Sequence, residues 1–279
     1  MSSGRVILVT GCSSGIGRAT ALEAAARGHR VFASARNRND LAELERRHNL
    51  ETLALDVTDD ASIRTAVAAV HARTGRLDAL VNNAGYGQYG ATEEVTADEW
   101  RAQFDVNLFG TIAMIQAVLP AMRAARRGTI VNVSSVSGKV AVPFAAPYSA
   151  SKHALEAVSD SLRVELWPFG IRVVLVEPGP IETKFGDRAR AIVTPLLSRP
   201  GPYRALYTLA ERAMDAEFQR GKQPASAVAR VIVRAIEADR PKPRYRVGLM
   251  AHVLVPLKML LPDGWLDGLM RRALRLPRP

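Results

Sequence analysis

Along the first 180 residues, short runs of wholly apolar residues recur, each followed by a helix-like stretch. Residues 6–9 (Val6-Ile7-Leu8-Val9), 30–35, 51–55, 77–81, 129–133 and 171–176 read as strands. Residues 15–27, 39–48, 59–73, 97–125 and 147–167 read as helices, the first ended by Gly28 and the third capped by Asp59 or Asp60. A strand with one wet face alternates apolar and polar residues. A strand that is apolar throughout is covered on both faces, as in a parallel sheet. Strand–helix alternation then demands right-handed crossovers, so the expected class is α/β, a doubly wound parallel sheet in a single domain.

The 279 residues, 48% hydrophobic, are enough for one large core. Aromatics are only 6%, which favours close helix–sheet packing over an aromatic binding platform. Cys12 is the sole cysteine, so no intramolecular disulfide forms, and its expected role is a small filler. One cysteine and five scattered histidines assemble no zinc site, and no metal is expected. The chain reaches its first strand without the charged segment, apolar stretch and cleavage site of a secretory signal. No run of about 18 apolar residues is evident, so no spanning helix is expected, and the expected setting is cytoplasmic and reduced.

The pattern changes after Pro178. Residues 180–222 carry Gly186, Pro195, Pro200, Gly201 and Pro202 among amphipathic pieces, and 184–222 reads as a substrate loop or lid. A helix near 225–238 and a last strand near 245–247 close a domain of residues 1–248. Residues 249–279 then form a basic amphipathic extension of two short apolar helices split by Pro262-Asp263-Gly264. The net charge of +11 is concentrated in the last 40 residues: residues 240–279 hold nine Lys/Arg (Arg240, Lys242, Arg244, Arg246, Lys258, Arg271, Arg272, Arg275, Arg278) against Asp263 and Asp267. The preferred reading of this extension is a cap over the substrate pocket or an oligomer interface with a solvated basic rim. The other is a weak peripheral contact with a membrane surface. The rest of the chain is too nearly balanced, and lacks an aromatic-interleaved basic groove, for a nucleic-acid-binding body.

Two motifs carry chemistry. Thr10-Gly11-Cys12-Ser13-Ser14-Gly15-Ile16-Gly17 lies between the first strand and first helix. Glycines there let the backbone approach a pyrophosphate, and the helix N-terminus offers free N–H groups and a positive dipole end. No Gly-Lys-Ser/Thr follows, which excludes a P-loop. At the end of the second strand an acidic residue about 20 positions after the glycines would hold an adenine ribose 2′-hydroxyl. The chain has Arg36 in Ala33-Ser34-Ala35-Arg36-Asn37-Arg38 instead. A guanidinium suits a 2′-phosphate, so NADP(H) is expected over NAD(H). Asp56 and Val57, after the third strand, are placed to touch adenine, although Asp56 equally suits a cap on the approach to the next helix.

The second motif is Tyr148-Ser149-Ala150-Ser151-Lys152, with Ser135 thirteen residues upstream. Tyr and Lys four apart share a helix face, so the ammonium is expected to lower the phenol pKa. A nucleotide cradle and a tunable acid/base in one domain point to hydride transfer. Ser134 and Ser137 compete with Ser135 for its role, and His153 reads as helix packing.

With Gly11, Gly15 and Gly17, then Asn82-Asn83-Ala84-Gly85, Ser135, Tyr148-x-x-x-Lys152 and Pro178-Gly179 in this order, the chain resembles the short-chain dehydrogenase/reductase family over roughly residues 5–183. Within it, the glycine turn and Arg36 resemble the branch of 17β-hydroxysteroid and retinol dehydrogenases. The resemblance implies a Rossmann-like seven-stranded parallel sheet with the cofactor across the carboxyl ends of the strands. Asn83, Ala84 and Gly85 would brace the adenosine side. Pro178 and Gly179 would lie beneath the nicotinamide, with Ile181 and Thr183 holding its carboxamide and a phosphate. Ser13, Ser14 and Ile16 belong to the glycine turn. The implied tetrad is Asn107, Ser135, Tyr148 and Lys152. Tyr148 exchanges a proton with a ketone, aldehyde or alcohol, Lys152 lowers its pKa and holds the nicotinamide ribose, and Asn107 positions a water. A homodimer or homotetramer through 97–125 and 147–167 is implied as well.

Val140, Val142, Pro143 and Phe144, with Phe185, Ile192, Leu196, Leu197, Tyr203, Leu206 and Tyr207, are the candidate pocket. Their apolar character fits a small apolar carbonyl or alcohol, of steroid, retinoid or fatty-chain type. The alternative is a non-catalytic NADP(H)-sensing regulatory or scaffold protein, against which stands the presence of both Tyr148 and Lys152.

Overall fold

The computed structural model describes residues 4–198 and 200–276, apart from the side chains of 184, 186–190 and 214–221. Arg278, counted in the basic extension, lies outside this description, and the expected break at Gly186 falls instead within the helix Lys184–Ser198. In chain order the elements are β1 (Val6–Val9), α1 (Gly15–Ala26), β2 (Arg30–Ala35), α2 (Ala42–Glu45), β3 (Leu50–Ala54), α3 (Asp60–Thr74), β4 (Ala79–Asn82), α4 (Ala97–Phe104), α5 (Gly110–Ala124), β5 (Gly128–Val133), α6 (Ala146–Glu165) and β6 (Ile171–Pro178). There follow β7 (Ile181–Glu182), α7 (Lys184–Ser198), α8 (Arg204–Gly221), β8 (Gln223–Pro224), α9 (Ala225–Glu237), β9 (Arg244–Val247), α10 (Leu249–Leu260) and α11 (Asp263–Ala273).

Seven strands pair in the order β3-β2-β1-β4-β5-β6-β9, every pair parallel. Both faces are covered, which is why the strands are apolar throughout. Ile7, Val9, Val31 and Ala33 point to one side, against Ala21 and Ala24 of α1 and Val228, Ile232 and Ile236 of α9. Leu8, Phe32, Leu80 and Ile130 point to the other, against Ile63 and Val67 of α3 and Met114, Ile115, Val118 and Met122 of α5. Strand order reverses between β1 and β4, and a crevice opens there at the carboxyl ends.

Local signals fix several boundaries. Asp59 caps α3 by accepting from Ala61 N at 2.8 Å, and Gly75, at φ +67°, ends it. Thr96 and Glu99 close a capping box on α4.

Four expectations are corrected. The helix over 39–48 shrinks to a 3₁₀ turn, Arg38–Leu41, and the four residues of α2. The helix over 97–125 is continuous but carries a π turn at Asp105–Phe109. Residues 97–124 are also long and apolar enough, by length and composition, to cross a membrane. In the fold, however, Met114, Ile115, Val118 and Met122 pack against the sheet, as a core helix does. Finally, 184–222 is mostly helical: α7 contains Pro195, and the breakers Pro200, Gly201 and Pro202 fall between α7 and α8.

Candidate active site

The glycine turn sits at the switch point. Gly11 and Gly15 have φ of +72° and +57°, a region that side chains other than glycine rarely adopt. Asn83 stitches the turn to β4: its Nδ2 donates to Thr10 O at 2.9 Å and Gly11 O at 3.1 Å. In return, Thr10 Oγ1 accepts from the N–H groups of Asn83 and Ala84, both at 3.0 Å. Gly17 makes this packing possible, because a Cβ there would lie 2.4 Å from both Asn83 Nδ2 and Gly11 O.

Helix α1 starts at Gly15. Ser14, at the N-cap, makes no side-chain cap, and the first turn holds no acid. Its leading N–H groups and positive dipole end therefore face the crevice unneutralised, which fits a pyrophosphate. Ser13 and Ile16 flank them, half-buried. Cys12 is fully buried, its thiol pushed up to about 12 by desolvation, so it is filler and not a nucleophile.

Around the cradle, Arg36 is exposed just beyond β2 and makes no hydrogen bond or ion pair among the described residues. Arg38, two positions on, is committed to Glu45 and Thr52. Asp56 Oδ1 accepts from Thr58 N at 3.0 Å and Thr58 Oγ1 at 2.8 Å, shaping the approach to α3. Val57 turns its side chain into the core. Pro178 ends β6, and Gly179 N donates to Val247 O at 2.9 Å. Ile181 is buried, and Thr183 reaches the glycine turn: a Cβ on Gly15 would meet its Cβ at 3.1 Å.

Ser135, Tyr148 and Lys152 converge on the same rim. Ser135 lies two residues past β5 and caps the turn Val136–Gly138, accepting from Ser137 N at 3.1 Å. Its hydroxyl also hydrogen-bonds Tyr148, whereas Ser134 Oγ is buried without a partner and points toward Gly138. Lys152 Nζ donates to Val133 O at 2.8 Å and lies 5.9 Å from the Tyr148 ring centroid. The phenol pKa departs from expectation. Burial raises it above the ordinary 10.0, and the opposing influence is the Ser135 hydrogen bond. Lys152 is itself pulled down to about 8 by burial, which Glu156 opposes. Desolvation outweighs the helix-face pairing that the spacing alone predicted.

Asn107 lies in the π turn, a kind of helix irregularity frequent at functional sites. Its Oδ1 accepts from Tyr86 N at 3.1 Å, and its Nδ2 donates to Tyr86 O at 3.0 Å and Ser151 Oγ at 3.1 Å. It thus reaches the residue before Lys152. Gly85 leaves room: a Cβ there would sit 3.0 Å from Asn107 Oδ1. His153 is exposed and bonds its own helix through Ser149 O.

Aromatic side chains close the rim. The Phe185 ring packs 5.5 Å from Tyr148, and Phe144 lies 5.3 Å from Tyr207 and 6.4 Å from Tyr203. Phe144 adopts φ +62°, a strained value for an aromatic residue four positions before Tyr148. Tyr207 is buried; its hydroxyl accepts from Ala91 N at 2.7 Å and donates to Glu94 at 2.5 Å, anchoring α8 to the body.

Sequence reasoning missed two groups. Tyr89 is buried near Tyr148 and Phe185, and no motif marks it. Beside Lys152, Glu156 of α6 and Glu177 of β6 are buried among Lys139, Arg244 and Arg246. Arg244 and Arg246, which the charge count groups with the basic last 40 residues, are partners of buried carboxylates.

A doubly wound sheet with a nucleotide cradle at its switch point, facing a Ser–Tyr–Lys set, defines a dinucleotide-dependent oxidoreductase. The sequence profile of the short chain dehydrogenase family matches residues 5–192, and the chain belongs to that family. It is 37% identical to a 3-ketodihydrosphingosine reductase of Bacteroides thetaiotaomicron, over 98% of this chain and 97% of the relative. An NADPH-dependent 3-dehydrocapnine reductase of Ornithobacterium rhinotracheale is 35% identical over 97% and 98%, and retinol dehydrogenase 8 of Bos taurus 36% over 93% and 86%. Among solved structures, a family member from Burkholderia phymatum in complex with NAD aligns at TM-score 0.80 and 26% identity over 96% of this chain and 95% of its own. A metagenomic short-chain oxidoreductase in complex with NADP aligns at 0.69 and 31% over 88% and 97%.

Proposed function

We propose that this protein is an NADP(H)-dependent oxidoreductase that interconverts an apolar ketone or aldehyde and its alcohol, with Tyr148 as the acid/base. The observation that carries the reading is the convergence of Ser135, Tyr148 and Lys152 on the rim beside the uncapped start of α1. Arg36, exposed and unpaired where an acid would favour NAD, supports the 2′-phosphate. The two reductases similar over nearly the whole chain support a fatty-chain ketone as the substrate.

When bound, the dinucleotide supplies the hydride. Ser135 and Tyr148 donate hydrogen bonds to the carbonyl oxygen, and Tyr148 gives up its proton as charge develops there. Burial keeps that phenol protonated at neutral pH, which favours carbonyl reduction. Lys152 holds the nicotinamide ribose and, through Ser151 and Asn107, borders a route for reprotonation. Phe185 and Phe144 shield the reacting atoms from water. The setting is a reduced, cytoplasmic one. Assembly is as a dimer or tetramer through α4–α5 and α6, where Phe109, Val164 and Trp167 stand exposed.

Fluorescence titration with NADPH and NADH tests the cofactor without any knowledge of the substrate. NADPH binds at least about tenfold more tightly, and Arg36→Ala removes the difference. Equal affinities would overturn the phosphate reading. NADPH oxidation on a panel of long-chain ketones then tests turnover, and binding without turnover would return the chain to a sensing role.

A further inference from the structure

Ten large apolar side chains are exposed among the described residues, and six of them belong to α10 and α11. On α10, Leu249, Val253 and Leu260 stand at i, i+4 and i+11, on one side of the helix, while exposed Met259 lies off this stripe in the last turn. Ala251 and Val255 are buried on the other side. On α11, Trp265 and Leu269 face solvent while Leu266 and Leu274 are buried. Each helix is therefore pinned to the body by one apolar face and shows a second to water.

The charge beside this outward face has one sign. Arg271, Arg272 and Arg275 are exposed and form no ion pair among the described residues, and Arg272 falls in line with Trp265 and Leu269. The two acids of the segment do not offset them. Asp263 is bound to Lys258, and Asp267, one turn from Arg271 on the side of the helix away from Trp265, forms no ion pair with it among the described residues.

We propose that the outward face of α10 and α11 docks this protein on an anionic lipid surface. A tryptophan and leucines at that depth enter the boundary between headgroups and acyl chains, while arginines meet lipid phosphates. A second copy is the poorer occupant, because stripe against stripe sets the three arginines of one copy beside those of another in a chain already at +11. Helix α10 packs on the turn Val136–Gly138 that follows Ser135, and its Met250 Cβ would lie 3.4 Å from a Cβ on Gly179. The helix that carries the docking face thus adjoins, by its inner side, the Ser135 end of the site. The inference needs no substrate and stands apart from the proposed reaction.

The test is co-flotation of the full chain with vesicles of phosphatidylcholine, alone or with about a third phosphatidylglycerol. The bound fraction is expected to be at least about tenfold greater on the anionic vesicles and to fall with salt. A triple variant, Leu260→Ser, Trp265→Ser and Leu269→Ser, is expected to lose it, as is Arg271→Glu with Arg272→Glu and Arg275→Glu. Equal flotation on both vesicles, or flotation unchanged in the apolar triple variant, overturns the proposal. So does a smaller lipid-free assembly in that variant by sedimentation velocity, which would assign the face to a second copy. Should the variants misfold, Trp100→Phe with Trp167→Phe leaves Trp265 as the only tryptophan. Its emission is expected to shift to the blue on anionic vesicles, and an unshifted spectrum overturns the proposal.

Discussion

At the residue scale, the site turns on two groups whose ordinary ionisation burial has altered. Tyr148 holds its proton more firmly than free tyrosine, so alcohol oxidation, which needs the phenolate, should accelerate with pH while ketone reduction persists to neutrality. Tyr148→Phe should lower kcat by at least about a hundredfold with NADPH affinity unchanged, read by paired turnover and titration; retained turnover would remove Tyr148 from its role. Lys152 titrates at about 8 in the folded chain against an ordinary 10.5. Between these values the unfolded chain binds a proton that the folded chain has released, so stability rises with pH by up to roughly 1.4 kcal/mol per unit. Below about 8 both states are protonated and the burial penalty is complete. Wild-type stability in urea should therefore climb relative to Lys152→Met between these two pH values. Parallel curves would mean that the ammonium is not desolvated.

At the element scale, the cradle depends on how closely α1 approaches β4. Gly17→Ala sets a Cβ 2.4 Å from Asn83 Nδ2 and Gly11 O, and backbone on one side cannot yield. Overpacking of this kind costs about 1–3 kcal/mol and shifts the N–H groups meant for a phosphate. NADPH affinity should fall at least about tenfold while the far-ultraviolet dichroism stays native-like; unaltered affinity would show that the turn does not set the site. The glycine pattern was legible because its requirement is local, a turn that no Cβ tolerates. The helix over 39–48 was misjudged because its cap and charges support a 3₁₀ turn as well as a helix, and packing of Leu41 and Leu44 decides between them. Residues 184–222 read as irregular because Pro195 looks like a breaker, yet it sits within α7.

At the scale of the whole molecule, β9 is held to the body by charge as well as by its ladder. Arg244 meets Glu156 at 3.1 Å, Asp160 at 2.5 Å and Glu177 at 3.2 Å, and Arg246 meets Glu177 at 3.3 Å. Burial pushes the Glu177 carboxyl up, which marks how much it depends on these partners. Arg244→Met leaves two buried carboxylates undercompensated, a loss of about 3 kcal/mol measurable by chemical denaturation. A change under about 1 kcal/mol would show that solvent, not Arg244, satisfies them.

The sequence by itself determined the parallel sheet, the glycine turn and the pairing of Tyr148 with Lys152, because each is written in spacing: apolar runs, positive-φ positions and a helical repeat. The tertiary structure alone decided what those groups experience. Whether Tyr148 is raised or lowered depends on desolvation, and desolvation is set by Phe185 and neighbouring segments distant along the chain. Arg244 belongs to Glu156 and not to a solvated basic tail because β9 lies beside β6, bringing together residues 88 positions apart in sequence. The outward stripe of α10 and α11 likewise exists only once the opposite faces of both helices are buried.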